Sequence, residues 1–165
     1  MNAIELNRRT IRVRGRRANV VSGKSPVSSL LGRPVVTIAP EATLAAAVES
    51  MEAAGVSALL VDRLGGIITE RDIARALGHG VAVDEPVDGI ATPHPLVVPG
   101  SATVVAACAL MLNEQVRHLI VDHDGTFGMI SLRDVAAALL QSSDPQIWLT
   151  SLRLAIETPP ETWLG

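Results

Sequence analysis

A hydroxyl followed three residues later by a carboxylate occurs twice in this chain, each time behind a glycine and two apolar residues. The stretches are "GIITERD", Gly66 to Asp72, and "GMISLRD", Gly128 to Asp134. In each, the apolar pair reads as the end of a strand, and Thr69 or Ser131 as the residue where a helix begins. A helix start offers unpaired N–H groups and a positive dipole end, both suited to phosphate. A carboxylate one turn in, Asp72 or Asp134, accepts two hydrogen bonds at once, the number that a ribose cis-diol presents. Glycine at the strand start, Gly66 or Gly128, lets a ligand or another stretch of backbone come close. Together these residues describe a seat for a sugar-phosphate. They equally describe a capping box, which satisfies helix-start donors and does nothing else. A duplicated fold would duplicate its caps, so the spacing alone leaves both readings open.

The elements that must position these residues repeat as well. With Pro26 placed over Pro86, Val27 meets Val87, Leu30 meets Ile90, Thr43 meets Thr103, Met51 meets Met111, and Val61-Asp62 meets Val121-Asp122. Beyond that point "DHDGTFG" in the second copy is longer than "DRLGG" in the first, a length change at a Gly-containing turn, where insertions are tolerated. Each copy opens with a short extended run, "PVVTI" (34–38) or "PLVV" (95–98). A helix follows, with Leu44, Ala47, Val48 and Met51 on one stripe, repeated as Val104, Ala107, Cys108 and Met111. Next come the strands "SALLV" (57–61) or "HLIV" (118–121), then "GIIT" or "GMIS", then a last helix from Glu70 or Leu132. The fold class is α/β (α+β), with β-α-β-β-α written twice. Cys108 takes the place of Val48 and is expected to be a buried small apolar side chain. Copies of about 55–60 residues bury too little surface to stand alone. They are expected to pack on each other about a pseudo-twofold axis, leaving two equivalent clefts.

This tandem organisation, with "VVTIAPEATLAAAVESM", "GVSALLVD" and "GIITERDI" answered by "PLVVPGSATVVAACALM", "QVRHLIVD" and "GMISLRDV", resembles a pair of cystathionine-β-synthase-type (CBS) domains, a Bateman module. The resemblance covers roughly Pro26 to Leu140. It implies that the Gly-x-x-[Thr/Ser]-x-x-Asp motifs bind adenosine ligands such as AMP, ATP or S-adenosylmethionine. Asp72 and Asp134 would hold ribose, Thr69 and Ser131 would touch phosphate, and backbone around Thr37 and Val97 would frame adenine. Arg117 and His118 stand where such proteins often present basic residues to phosphates, opposite Ser57 and Ala58 in the first copy. Two unequal sites are expected, with phosphate-rich ligands preferring the cleft that receives Arg117 and His118. The short "DRLGG" turn departs from the family pattern and predicts an altered first cleft. The family commonly dimerises, so a homodimer is expected.

Composition bounds the remainder. The chain has 165 residues, 48% apolar and 19% charged, with a net charge of −3, as in globular proteins. One Phe, two Trp and no Tyr argue against an aromatic platform for single-stranded nucleic acid. Residues 1–24 hold seven bases and one acid, ahead of an acidic body with seven bases and sixteen acids. The division expected is a basic arm (1–25), repeat one (26–85), repeat two (86–141) and a helical tail (142–165). The arm is a solvated terminus or a contact for nucleic-acid phosphates. The tail, with Trp148 and Trp163, docks on the chain itself or on a neighbour. No ligand pair among His79, His94, His118, His123 and Cys108 has structural-zinc spacing, so no metal is expected. No nucleophile or phosphate-loop motif of an enzyme appears, and no catalytic residue is assigned. The N-terminus carries no apolar run of the kind found in signal peptides. The longest uncharged stretch, Ala91 to Asn113, is broken by Pro93, Pro95, Pro99 and Gly100. With a single cysteine, a cytoplasmic home follows. The expected function is a non-enzymatic regulatory module with no obligatory cofactor, sensing an adenosine ligand and signalling to a separate effector protein. The rival is a scaffold whose arm and tail recruit protein or nucleic acid.

Overall fold

The computed structural model describes residues 22–141, together with 149 and 153. The arm, as far as residue 21, and the tail, apart from Leu149 and Arg153, lie outside the described residues, and with them the expectations placed there. The first half contains β1 (Thr37–Ile38), α1 (Leu44–Ala54), β2 (Ala58–Val61), the single turn α2 (Asp62–Gly65), β3 (Gly66–Thr69) and α3 (Glu70–Gly78). After β4 (Thr92–Pro93), the second half runs β5 (Val97–Pro99), α4 (Val104–Asn113), β6 (His118–His123), β7 (Thr126–Ser131) and α5 (Leu132–Leu140). The β-α-β-β-α order read from the repeat is therefore present twice. Both last helices start at the residues read from sequence.

In each half the first strand runs parallel to the second, and the second antiparallel to the third. Thr37 pairs with Leu60 and Val97 with Ile120. Ala58 pairs with Thr69 and His118 with Ser131. The helices cover one face of each sheet. Leu44, Ala47 and Met51 of α1 close over Leu59, Val61 and Ile68 in one core. Val104, Ala107, Cys108 and Met111 of α4 close over Leu119, Val121 and Ile130 in the other. Thr43 and Thr103 start these helices by accepting the Ala46 and Ala106 N–H groups, the usual work of a threonine N-cap. Gly55 ends α1 in the left-handed region (φ 62°), where glycine carries no Cβ penalty.

Two features depart from the repeat as read from sequence. The leading segment of each copy packs against the other half. Val27, in the single 3-10 turn Val27–Leu30, is fully buried in the second core, and its N–H donates to the Ala102 carbonyl. Val87, in the turn Val87–Gly89, is fully buried in the first core, and its N–H donates to the Ala42 carbonyl. The chain thus threads from one half to the other and back. The two halves also differ at their edges. β4 adds a fourth strand to the first sheet, pairing Thr92 with Ile67, whereas the second sheet has three strands.

Candidate functional site

The sequence of each closing heptapeptide builds its own helix start. The Thr69 N–H and hydroxyl both donate to Oδ2 of Asp72, at 2.9 and 2.6 Å, and the Asp72 N–H donates back to the hydroxyl at 3.3 Å. Ser131 and Asp134 repeat this at 2.8, 2.7 and 3.3 Å. Both are complete capping boxes, so the structural role weighed at the outset is realised in both copies. Each hydroxyl spends its one proton on its aspartate and retains only acceptor capacity. Each Oδ2 already takes two hydrogen bonds. Oδ1 of Asp134 is left with two lone pairs, enough for both hydroxyls of a cis-diol on one oxygen, whereas Oδ1 of Asp72 faces the Arg75 guanidinium at 3.7 Å. The first helical amides are also committed, Glu70 to the Ser57 carbonyl at 3.1 Å and Leu132 to the Arg117 carbonyl at 2.8 Å. That leaves the amides of Arg71 and Arg133 without a partner among the described residues. Each helix start therefore offers one aspartate oxygen, one amide and the arginine that carries it.

The two starts face one crevice. It holds a cavity of about 1050 Å³ between the halves, at the upper end of the range for ligand sites. Its walls are paired by the pseudo-twofold axis: Val36 with Leu96, Val56 with Val116, Ser57 with Arg117, Ala58 with His118, Thr69 with Ser131, and Asp72 with Asp134. The seven bases after residue 24 are all arginines, and five of them, Arg33, Arg71, Arg75, Arg117 and Arg133, line this space. Among the described residues, four acids do so: Glu52, Glu70, Asp72 and Asp134. A cationic bias is thus concentrated in one concavity of an otherwise acidic body, as a site for an anion requires.

Six of the residues singled out from sequence meet here: Thr69, Asp72, Ser131, Asp134, Arg117 and His118. The other four stand elsewhere. Gly66 and Gly128 are buried and are not among the lining residues. A Cβ on Gly66 would lie 3.1 Å from the Thr92 carbonyl oxygen, and one on Gly128 would run into the Leu31 side chain. Of the two partners weighed for these glycines, the close neighbour is the threading chain. Thr37 and Val97 are exposed on β1 and β5, with Ile38 and Val98 turned into the cores. The lining backbone lies upstream, at Pro34, Val35 and Val36 and at Pro95 and Leu96. Val48 also departs from its helical stripe: it is 45% exposed and lines the crevice, while its counterpart Cys108 is buried. Burial pushes the Cys108 thiol above its ordinary value.

Sequence reasoning missed Arg33. Its guanidinium donates to the carbonyls of Ala54 (3.0 Å) and Gly55 (3.3 Å), holding the C-terminus of α1 where a cation suits the dipole. The signal was an isolated arginine just ahead of the Pro34 that opens the first extended run. The halves differ most at the start of their second strands. Ser57 Oγ lies 3.2 Å from Nε2 of His118, a bond that crosses between the halves. Burial, reinforced by the adjacent Arg117 guanidinium, pushes the His118 imidazole below its ordinary value, against the pull of Asp134, Glu70 and Asp72. Among the described residues no cluster of three or more His, Cys, Asp or Glu side chains could hold a metal, and no helix is long and apolar enough to cross a membrane.

The sequence matches the family described as the CBS domain twice in tandem, over residues 27–79 and 87–141. The chain belongs to the CBS domain family. A curated relative, an uncharacterised 17.7 kDa protein of Acidianus ambivalens, is 36% identical over 120 residues, covering 69% of this chain and 73% of that one. Among solved structures, a CBS-domain-containing protein of Agrobacterium tumefaciens is 30% identical, with a TM-score of 0.64 over 69% of this chain and 98% of that one. A CBS domain protein of Pyrobaculum aerophilum, solved as a complex with AMP, is 26% identical, with a TM-score of 0.63 over 79% of this chain and 99% of that one. The CBS pair described here thus shares its architecture with proteins of which at least one holds an adenine nucleotide.

Proposed function

We propose that this CBS pair is a non-catalytic sensor that takes an adenosine nucleotide, AMP in the first instance, into the crevice between its halves and passes its state of occupancy to an effector protein. The observation that carries this reading is that both Thr/Ser-x-x-Asp helix starts open into a single concavity holding five of the body's seven arginines. Oδ1 of Asp72 and of Asp134 would receive the ribose hydroxyls. The Arg71 and Arg133 amides and the neighbouring guanidiniums would receive phosphate by charge-assisted hydrogen bonds. The Pyrobaculum relative, complexed with AMP, supports this choice of ligand. The arginines favour AMP or ATP over S-adenosylmethionine, whose sulfonium is cationic. Occupancy would stabilise one packing of the two halves, or of a homodimer in the cytoplasm, through differential affinity between states.

Isothermal titration of AMP into wild type, Asp72→Asn and Asp134→Asn tests the reading, since asparagine keeps a capping acceptor while removing the charge. Loss of affinity in at least one variant is expected. Undiminished binding in both rejects the ribose assignment, and no binding to wild type rejects the nucleotide sensor. A second reading is favoured by one observation: both aspartates complete structural caps within their own helices. In that case the pair is a scaffold that engages protein, or nucleic acid through residues 1–24. A thermal-shift screen separates the two. A ligand at a hundred times its dissociation constant adds about 2.7 kcal/mol of stability, whereas a scaffold shows no shift.

A further inference from the structure

His118 stands where the two halves touch through polar side chains. Its Nε2 and the Ser57 hydroxyl make a side-chain to side-chain hydrogen bond between the halves. Arg117 precedes it at the entry to β6, Asp134 approaches from the start of α5, and Glu70 and Asp72 approach from the start of α3. Burial, and after it the Arg117 guanidinium, favour the neutral ring. A serine hydroxyl either donates to or accepts from Nε2, so the Ser57 contact survives protonation of the ring without moving a heavy atom. Nδ1 has no partner among the described residues. A phosphate entering the crevice brings negative charge beside a partly dehydrated imidazole, which favours the protonated form. The same phosphate pairs with Arg117, offsetting the repulsion that adds to burial in disfavouring the charged ring. The first half cannot repeat this, because Ala58 occupies the equivalent position.

We propose that His118 makes the crevice selective for phosphate-bearing ligands by a proton-linked mechanism, taking a proton from solvent as the anion enters and donating from Nδ1 to it. The inference rests on the nucleotide reading above and adds a determinant of ligand choice and pH response. Calorimetry tests it, with AMP and adenosine as probes at pH 5.5, 6.5 and 7.5, each in two buffers of different ionisation heat. The proteins are wild type and His118→Gln, which can still bond Ser57 but does not titrate. Free AMP titrates identically in both experiments, so a difference between the proteins arises in the complex and traces to residue 118. Wild type is expected to take up protons with AMP and not with adenosine. From pH 7.5 to 5.5 its preference for AMP over adenosine should rise about three- to tenfold more than that of H118Q, tenfold corresponding to one pKa unit. Equal proton uptake and an equal pH trend in the two proteins overturn the inference while leaving nucleotide binding intact. Absence of AMP heat on wild type at every pH overturns the nucleotide reading, and this inference with it. Should H118Q not fold, NMR titration of the His118 ring in wild type, assigned through its perturbation in Ser57→Ala, serves instead. A ring pKa unmoved by saturating AMP overturns the proposal.

Discussion

The two halves carry the same helix caps and nearly the same cores, yet they face the crevice with different side chains. Ser57 and Ala58 look in from the first, Arg117 and His118 from the second. The turns differ too. β2 and β3 are joined by the turn Asp62–Gly65, interrupted at Leu64 (φ −170°, ψ 16°). β6 and β7 are six residues each and meet at Asp124-Gly125, both with positive φ. What stays alike is what folding requires: the capping boxes, the buried strand residues and the glycines beside the threading chain. What differs lies at two adjacent positions facing the crevice, where the second half carries a charge and a titratable ring that the first lacks. The repeat presents two equivalent helix starts, and that difference makes the space between them unequal.

The largest test of this comparison lies in the cores. Ile68 and Ile130 are equivalent and both fully buried. Ile68→Ala and Ile130→Ala should each destabilise by about 2–5 kcal/mol. Because Val27 lies in the second core and Val87 in the first, neither half is complete without chain from the other's side. Each variant should unfold in a single step, with far-UV circular dichroism and hydrogen exchange giving coincident urea midpoints. Separate midpoints for the two halves would show that the exchange of segments does not couple them.

Next in size are the glycines. Gly66→Ala meets fixed backbone at Thr92, whereas Gly128→Ala meets the end of the Leu31 side chain. Each should destabilise by about 1–3 kcal/mol as overpacking does, but relief should be one-sided. Leu31→Ala should suppress the effect of Gly128→Ala in a double-mutant cycle on urea midpoints. Ala91→Gly should leave most of the effect of Gly66→Ala, since the 3.1 Å contact is to a carbonyl. Additivity in the Leu31 and Gly128 pair would break the assignment of that glycine to close packing.

Smaller still is the loss of one cap. Thr69→Ala and Ser131→Ala remove the hydroxyl from otherwise matching boxes, and each should lower stability by about 1 kcal/mol. Near-equal urea midpoints are expected, because both hydroxyls make the same three-membered network with their aspartates. A marked inequality would mean that one box is strained into place by the crevice rather than by its own helix.

These caps were legible in the sequence because every partner lies within three residues. The apolar stripe on α4 was legible through its periodicity, and the strand pairs around Gly66 and Gly128 through short apolar runs at Gly-containing turns. Other features were not, for physical reasons that can be named. Val27 and Val87 sit in four- and three-residue turns, too short to show a period, and their burial in the opposite core depends on how the halves dock. β4 is two residues long and contains Pro93, which reads as a breaker. Val48 fits the stripe of α1 but falls at its margin, where the crevice cuts in. Thr37 and Val97 fell one residue beyond the crevice wall, because the strands turn alternate residues to opposite sides and the wall is formed before the ladder begins. Arg33 carries no motif at all; only the C-terminus of α1 explains its place.

The finest test concerns His118, which has no counterpart in the first half. Its imidazole is held below the ordinary value near 6.5, so the unfolded chain binds this proton more readily than the folded one. The stability tied to the neutral ring is present above pH 6.5 and is lost as pH falls through the depressed folded value. In H118Q that component disappears, while the carboxylates titrate as before. Urea midpoints of the free proteins at pH 7.5 and 5.0 should therefore fall further in wild type than in H118Q, by the smallest margin of the four tests. Ser57→Ala removes the bond between the halves but leaves the ring buried beside Arg117, so its pH trend should follow wild type. A trend in S57A matching H118Q would place the origin of the depression in the Ser57 contact rather than in burial and the neighbouring guanidinium.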